Sequence, residues 1–595
     1  MEKRKSINNF YAFTCFLFSI SLLALAVASC KKDTPTQALL IPEGTTEIAD
    51  EAFIDRKDIS ELTIPATVKS IGKAAFKNCE NIKTLILPNS IENIGDSAFE
   101  GCSGIETLNI GSGLKNIGDE AFADCTSLKS FSVDEANSAF TVIDNCLYTK
   151  DKKKLIRAAT DIQSIKIPFG VTTIGKKAFE GCSNLTSVTI PGTLSTIENK
   201  AFLGCAKLAN IELPASVKSI AGNAFEGSAV LKNITIPDGT LAIQDKAFAG
   251  RWDILGVHIP NSVTTIGDGA FEGCTGLQRI VIPDSVTTIG SNAFSGCSSL
   301  KEAKIGKGVI SMGAGAFKDC VSLGQADIPK MQVISADSYR GCSGLNSVTI
   351  PNGIREIQSR AFASCKNLTS IVIPDSVIII GDGAFQDCSR LANIVIPSGV
   401  ASIGTGAFKG CTGLNSISIP NSVETIWGDA FYGCTGLKSV NIPASVKAIW
   451  GEAFSGCTNM TTLTVDPSNP HFVSVDNCIY TIDKKTLVRA AGGIRTVSIL
   501  SSVRTIERDS FYGCAYLTSL NIPEGVETIK DFAFEGCASL TNARIPKSVT
   551  HIGAGAFWRC NRLTTINYTG SQSNWQNVNK GENSLPQYAT VSYNR

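Results

Sequence analysis

The chain has 595 residues, with 54 Lys and Arg against 53 Asp and Glu, for a net charge of +1. No long-range field therefore favours nucleic acid, an acidic membrane surface or a polyanionic substrate. Its three histidines, His258, His471 and His551, stand in different parts of the chain, so the sequence gives no basis for a histidine triad or a multi-histidine metal site.

At the start, Lys3, Arg4 and Lys5 precede an apolar run that ends at Ser29, the pattern of an export signal over residues 1–29. The run is also long enough to cross a bilayer as an uncleaved helix, and its end favours the signal. Val27-Ala28-Ser29-Cys30 resembles a bacterial lipobox, and the resemblance implies that Cys30 is diacylated and becomes the first mature residue. Two or three acyl chains would anchor durably, because each buried methylene contributes about 0.8 kcal/mol and a single chain is marginal. Residues 30–37 are polar and include Pro35, so they read as a flexible, non-helical tether.

A length of 595 residues would ordinarily suggest about four domains of ~150 residues, but internal repetition overrides that prior. Phe53, Phe76, Phe99 and Phe122 recur every 23 residues, and the series resumes from Phe179 to Phe317. It slips by one at Tyr339, continues from Phe362 to Phe454, and closes with Phe511, Phe534 and Phe557. One copy, residues 277–299, shows the logic: Leu277, Ile280 and Ile282 place alternate side chains of a short strand inward, and Pro283 ends it. Val286 and Ile289 begin the return, Gly290 permits the bend, and Ala293-Phe294 point inward on a short helical or 3₁₀ turn. The expected fold is an α/β repeat solenoid with one short parallel strand per rung and short helical or irregular return segments. No rung can bury its apolar residues alone, so stacking is obligatory. About 22 rungs at ~4.8 Å each would stack to on the order of 100 Å.

The stretch "IPNSVTTIGDGAFEGCTGL" resembles the BspA-like leucine-rich repeats of bacterial surface proteins, and the match runs over about 38–568. The slot that holds an asparagine ladder in better-known leucine-rich repeats carries Ser or Thr here, as at Ser262, Ser285 and Ser376, so hydroxyls must satisfy the turn backbone. The resemblance implies a surface or secreted protein that binds proteins, with host matrix proteins and other bacterial surface proteins as candidate partners. It brings no shared catalytic residues and no cofactor.

Two gaps in the series, Cys125 to Cys182 and Cys457 to Cys514, contain inserts that are copies of each other, near residues 134–160 and 466–492. "FTVIDNCLYTKDKKKLIRAA" and "FVSVDNCIYTIDKKTLVRAA" read as hairpin-forming strands joined by polar turns. One reading makes them lateral projections that bind through Lys152, Lys153, Arg157, Lys484, Lys485 and Arg489. The other makes them spacers that cover part of the solenoid.

Trp427 and Trp450 occupy consecutive rungs at a slot that elsewhere accepts Gly, Glu198, Gln244, Glu507 or Lys530, which argues for exposure. With Tyr432 near in sequence they form a candidate aromatic patch for an apolar side chain or a sugar face; stacking along the solenoid is the alternative. The middle strand position holds Thr189, Thr235, Val281, Thr349, Val372, Val395, Ser418, Asn441 and Asn521. This small, mostly neutral column should face solvent and suits broad protein contact, with Val281, Val372 and Val395 as its apolar members. Few aromatics stand there for glycan stacking. After Tyr568 the repeat dissolves, and residues 569–595 read as a cap in which Trp575 covers the last core layer.

Of 21 cysteines, 17 share the slot of Cys274, which also holds Ser228 and Arg251; Cys15, Cys30, Cys146 and Cys478 stand elsewhere. No C-x-x-C pair suggests metal. Disulfides between neighbouring rungs would need side chains held at ~4.8 Å to approach more closely, so the slot reads as a buried thiol with a weak S–H donor. Together these features describe a non-catalytic, lipid-anchored protein of the bacterial cell envelope, exposed on the outer surface, that mediates protein interaction or adhesion. A structural envelope spacer and a glycan-binding component of a polysaccharide uptake system are the alternatives.

Overall fold

A computed structural model describes residues 36–228, 231 and 235–594. It is a leucine-rich-repeat β-solenoid of about 24 turns. The rung predicted over 277–299 shows how each turn is built. Its strand Arg279–Ile282 pairs in parallel with Gly256–His258 before it and Glu302–Ile305 after it, with Ile280 opposite Ala303 and Ile282 opposite Ile305. Ile280 and Ile282 are buried while Arg279 and Val281 face solvent, the alternation that a pleated strand imposes. Beyond Pro283, a two-residue return strand Thr288–Ile289 pairs in parallel with Thr265–Ile266 and Ser311–Met312. Each rung therefore contributes to a strand face, a return wall and a third wall made by the Ala-Phe turn.

The turn wall departs from expectation. Among the described residues the only helix is Gln572–Gln576, so the α/β class and the helical return segments are corrected to an almost wholly β architecture. The reason lies in the backbone. Asn292 and Gly296, on either side of Ala293-Phe294, take φ of 54° and 72°, and left-handed residues cannot continue a right-handed helical turn. The amides of Asn292, Phe294 and Gly296 donate instead to Ala314, Ala316 and Lys318 of the next rung at 2.8, 2.7 and 2.7 Å. Gly227 has a positive φ of 74°, and a Cβ there would also crowd the Gly204 backbone of the rung below at 3.2 Å.

The phenylalanines stack along the axis. Phe271 lies 5.2 Å from both Phe248 and Phe294, with rings near parallel, and Tyr339 takes the same place between Phe317 and Phe362. Each ring contributes roughly 1.5–3 kcal/mol on burial. The Ser slot works as the sequence implies: Ser262 accepts from the Gly239 amide at 2.9 Å and donates to the Thr240 carbonyl at 2.7 Å. Ser285 and Ser376 donate likewise to Val263 and Ile354, each at 2.7 Å.

Each insert folds into a three-stranded antiparallel meander. In the first, Phe140–Ile143, Cys146–Thr149 and Lys154–Ala158 pair in order, and the last strand joins the return wall beside Thr173–Ile174. The second repeats this with Phe472–Val475, Cys478–Thr481 and Thr486–Ala490. Asn137 and Asn469 pin the entry to each: both are buried, and each donates to two carbonyls of the preceding rung while accepting from two amides of its own loop.

At the far end, residues 569–594 continue the stack. Asn579–Lys580 and Thr590–Tyr593 extend the return wall and the strand face in parallel register. Trp575 is buried, with its ring 4.8 Å from that of Tyr568.

Candidate interaction surfaces

The strand face carries the predicted outward column. Val281, Val372 and Val395 are 43%, 65% and 74% exposed, and Thr189, Thr235, Thr349, Ser418, Asn441 and Asn521 are exposed with them. From Ser347 to Thr464 the outward pairs are Ser347/Thr349, Ser370/Val372, Asn393/Val395, Ser416/Ser418, Ser439/Asn441 and Thr462/Thr464, none of them charged, with the exposed Lys438 immediately before Ser439. The preceding rungs differ: Arg279 pairs with Glu302 at 3.2 Å, and Lys304 and Asp327 follow.

Trp427 and Trp450 lie elsewhere, at the corner between the return wall and the turn wall, immediately after the return strands Thr425–Ile426 and Ala448–Ile449. In half of the aligned rungs that corner is glycine. A Cβ on Gly290 would sit 2.5 Å from the amide nitrogen and carboxylate of Asp268, whose Oδ1 accepts from the Ser291 amide at 2.6 Å. At Trp427-Gly428 and Trp450-Gly451 the glycine stands one position along and the indole occupies the corner. The two indoles stack 5.8 Å apart at 10° and stay 41% and 54% exposed. Thus the structure does not bring the tryptophans and the valines together; they occupy separate walls.

Tyr432, on the turn wall, is half-buried and meets Tyr512 rather than the indoles, with hydroxyls 3.3 Å apart. Lys409 lies over the Tyr432 ring at 4.8 Å and pairs with Asp429 at 2.8 Å. The hydrogen bond to that carboxylate raises the Lys409 pKa against the opposing effect of burial, and Glu452 is close enough to add to the rise.

The reading of the inserts as projections that bind through Arg157 and Arg489 is overturned. Both arginines are buried, at 3% and 1% exposure, because each insert strand replaces a Phe-turn and its arginine takes the place of the inward alanine. Ala158 then makes the bond that phenylalanine makes elsewhere, donating to Ala178 at 2.8 Å. Arg157 donates to the Lys177 carbonyl at 2.6 Å and pairs with Glu180 at 3.2 Å. Arg489 donates to the carbonyls of Asp509 and Tyr512. Lys152, Lys153, Lys484 and Lys485 are exposed on the turns.

All nineteen described cysteines are free and buried. Cys274 donates its S–H to the Phe248 carbonyl at 3.1 Å, a partner that sequence reading missed. Burial pushes the thiol of Cys125 up to about 12 while nearby Arg157 opposes the shift, so these groups are protonated donors rather than nucleophiles. Cys30, Cys15 and the rest of residues 1–35 lie outside the described residues. Among the described residues no cluster of three His, Cys, Asp or Glu is placed to hold a metal, and no helix is long and apolar enough to cross a membrane. An open cleft lined by Ile86, Asn89, Asn109 and Asp134 lies beside the first insert and pairs no nucleophile with a base.

The profile of the BspA type leucine-rich-repeat region matches residues 45–157, 153–278, 264–392, 378–481 and 480–581, nearly the whole solenoid. The chain belongs to the BspA-type leucine-rich-repeat family. Solved structures similar to this BspA-type chain include a leucine-rich repeat protein from Bacteroides ovatus, 26% identical over 77% of this chain and 97% of that one, with a TM-score of 0.39. A leucine-rich cell surface protein from Faecalibacterium prausnitzii is 24% identical over 74% and 97%, with a TM-score of 0.38. A search of curated proteins gave no match.

Proposed function

We propose that this BspA-type solenoid is a bacterial cell-surface protein, lipid-anchored through Cys30, that binds other proteins without catalysis. The carrying observation is the six-rung column of outward strand positions from Ser347 to Thr464, hydroxyl- and amide-rich and uncharged, with Val372 and Val395 exposed within it. Such a strip can approach another protein surface closely without stranding a charge, since a buried unpaired charge is the costliest defect an interface can contain. Burial keeps the repeat thiols protonated, which suits packing and hydrogen bonding rather than nucleophilic chemistry.

The test is capture by the purified full chain of immobilised host matrix proteins and intact neighbouring bacteria, alongside a glycan array. Saturable protein binding that falls at least tenfold in a Val372→Asp/Val395→Asp variant is the expected result. Glycan binding alone would favour the polysaccharide-uptake alternative, and silence on every surface would favour a spacer. Protease shaving of intact cells tests the outer-surface location, and metabolic labelling with a palmitate analogue, lost in Cys30→Ala, tests the anchor.

A further inference from the structure

Where the strand face runs into the first insert, a cleft of about 740 Å³ opens, lined among others by Ile86, Asn89, Asn109, Ser132, Asp134 and Glu135, a volume within the range of small-ligand sites. Its polar groups are held in fixed orientation. Ser132 lies opposite Asn109 in the parallel register, and its hydroxyl donates to Asn109 Oδ1 at 2.5 Å. The Nδ2 donors of Asn109 are left without a partner among the described residues. Asp134 is tied to the same strand, because its backbone amide donates to the Ile110 carbonyl at 2.9 Å. Its Oδ1 accepts from the Ala136 amide at 2.9 Å, and Oδ2 has no partner among the described residues. Asn89 adds a second free amide donor, since only its Oδ1 is engaged, by the Ser112 amide at 2.9 Å. The constellation recurs at the second insert. Thr464 lies opposite Asn441 and donates to its Oδ1 at 2.9 Å. Asp466 donates through its backbone amide to Ile442 at 2.8 Å and accepts at Oδ1 from the Ser468 amide at 2.8 Å. Each insert entry therefore presents a free amide donor beside a free carboxylate oxygen.

We propose that the two insert entries are binding sites for a neutral polyhydroxylated ligand, the sugar residues of a glycan chain. Asn109 donates to the ligand's hydroxyls and Asp134 accepts from them, and Asn441 and Asp466 do the same at the second entry. The unfilled donors and acceptors select this class. An ammonium or guanidinium brings donors only and would face the asparagine N–H groups with its own; a phosphate or sulfate brings acceptors only and would meet the aspartate charge to charge. A hydroxyl both donates and accepts, so neighbouring hydroxyls of one ring answer the amide and the carboxylate together. A peptide group also carries both, but a trans peptide points them to opposite edges of its plane, whereas Asn109 and Asp134 offer them side by side on one wall. Ile86, 58% exposed, gives the first site an apolar edge for the C–H face of a ring, and Ser418 stands at its position in the second, so the first is the tighter. Two such sites on one solenoid favour a ligand that repeats, because occupancy of one raises the effective concentration at the other. The inference goes beyond protein binding and stands apart from the exposed valines on which that reading rests.

Affinity electrophoresis of the purified full chain through gels containing dextran, mannan, galactan, xylan or heparin tests this directly. At least one of the four neutral polysaccharides should retard the chain saturably, and the anionic heparin should not. Two isosteric swaps read the site without disturbing its internal hydrogen bonds. Asp134→Asn keeps the acceptor for the Ala136 amide and turns the free acceptor into a donor; Asn109→Asp keeps the acceptor for Ser132 and turns the free donor into an acceptor. Each should weaken retardation about fivefold or more, Asp466→Asn about twofold, and Asp134→Asn/Asp466→Asn together should abolish it. Glu106→Gln, on the same strand face but outside the cleft and paired with Lys129 at 3.2 Å, should leave it unchanged. The proposal is overturned if no neutral polysaccharide retards the chain, if the swaps at Asn109 and Asp134 leave retardation intact, or if a tetra-alanine peptide competes as well as the free sugar. Val372→Asp/Val395→Asp should abolish protein capture yet keep polysaccharide retardation, so failure of the strand-face reading is told apart from failure of the glycan sites.

Discussion

The sulfur of Cys274 donates to the carbonyl of Phe248, 26 residues earlier and one rung below, at 3.1 Å. The same bond recurs at Cys297 to Phe271, Cys320 to Phe294 and Cys434 to Phe408. Where serine replaces cysteine, the hydroxyl of Ser228 donates to Phe202 at 3.1 Å. Cysteine and serine thus fill the slot as small side chains with one donor, whereas Arg251 fills it by pairing with the buried Asp253 at 2.7 Å. Cys274→Ser should fold with stability within about 1 kcal/mol of the parent, whereas Cys274→Ala should lose roughly 1–2 kcal/mol by leaving the carbonyl without its second donor and a small void. Hydrogen exchange of the Phe271 and Phe294 amides reports the loss locally, which suits a solenoid in which each rung touches only its neighbours.

Thiol chemistry supplies a second expectation. Burial holds Cys146 and Cys182 protonated, with pKa pushed up to about 12 in each, and the thiolate is the reactive form. Iodoacetamide at pH 8 should leave the nineteen described thiols unmodified in the folded protein and alkylate all of them in urea. A denatured, unreduced sample whose mass shows missing alkylation would reveal disulfides and remove the donor role.

The period and the inward residues were legible because stacking demands the same apolar group at the same place in every rung: Ile280, Ile282, Ile289 and Phe294 could be placed by spacing alone. The helical turn was misread because its decisive feature is a backbone angle. Gly269, Asn292 and Gly315 hint at a left-handed position, but Lys177 and Phe532 take the same conformation and hide it. Burial of Arg157 was readable in principle, since it falls two residues after Leu155 on the inward parity of its strand, yet charge argued for the surface. The separation of Trp427 from Val372 needed the cross-section of a rung, which spacing along the chain does not contain.

Asp509 carries a pH expectation. Its side chain is 3% exposed, and burial raises its pKa to about 6 despite Arg508 and Arg489, which pull the other way, with Glu452 adding to the rise. The folded state thus holds this proton more tightly than the unfolded chain, whose carboxyl titrates near 4. Its contribution to stability is greatest below about pH 4 and is lost as pH rises to about 6, by roughly 2–3 kcal/mol. The wild-type unfolding midpoint should fall across that window through this group. Asp509→Asn should flatten the fall and be the more stable protein at pH 7, as measured by urea melts at pH 4, 5, 6 and 7.

The twin inserts bury their arginines in different company, and the difference predicts unequal losses. Arg157 pairs with Glu180 at 3.2 Å, and Lys177 reaches Glu180 and Asp124 at 3.3 Å each. In the second copy the residues equivalent to Lys177 and Glu180 are Asp509 and Tyr512, and the hydrogen bonds of Arg489 run to carbonyls; burial lowers its pKa. Arg157→Met leaves the buried Glu180 with one cation fewer and should cost about 3–5 kcal/mol, the scale for breaking a buried pair from one side. Arg489→Met removes a charge that burial disfavours and breaks hydrogen bonds that run to carbonyls alone, although the buried Asp509 carboxylate loses one of its two favourable cations, so about 1–2 kcal/mol is expected. Proteolysis of the two variants across a urea series, with cleavage mapped to the first or second insert, measures both losses. Equal sensitivity at the two junctions would show that the carboxylate partner does not set the difference.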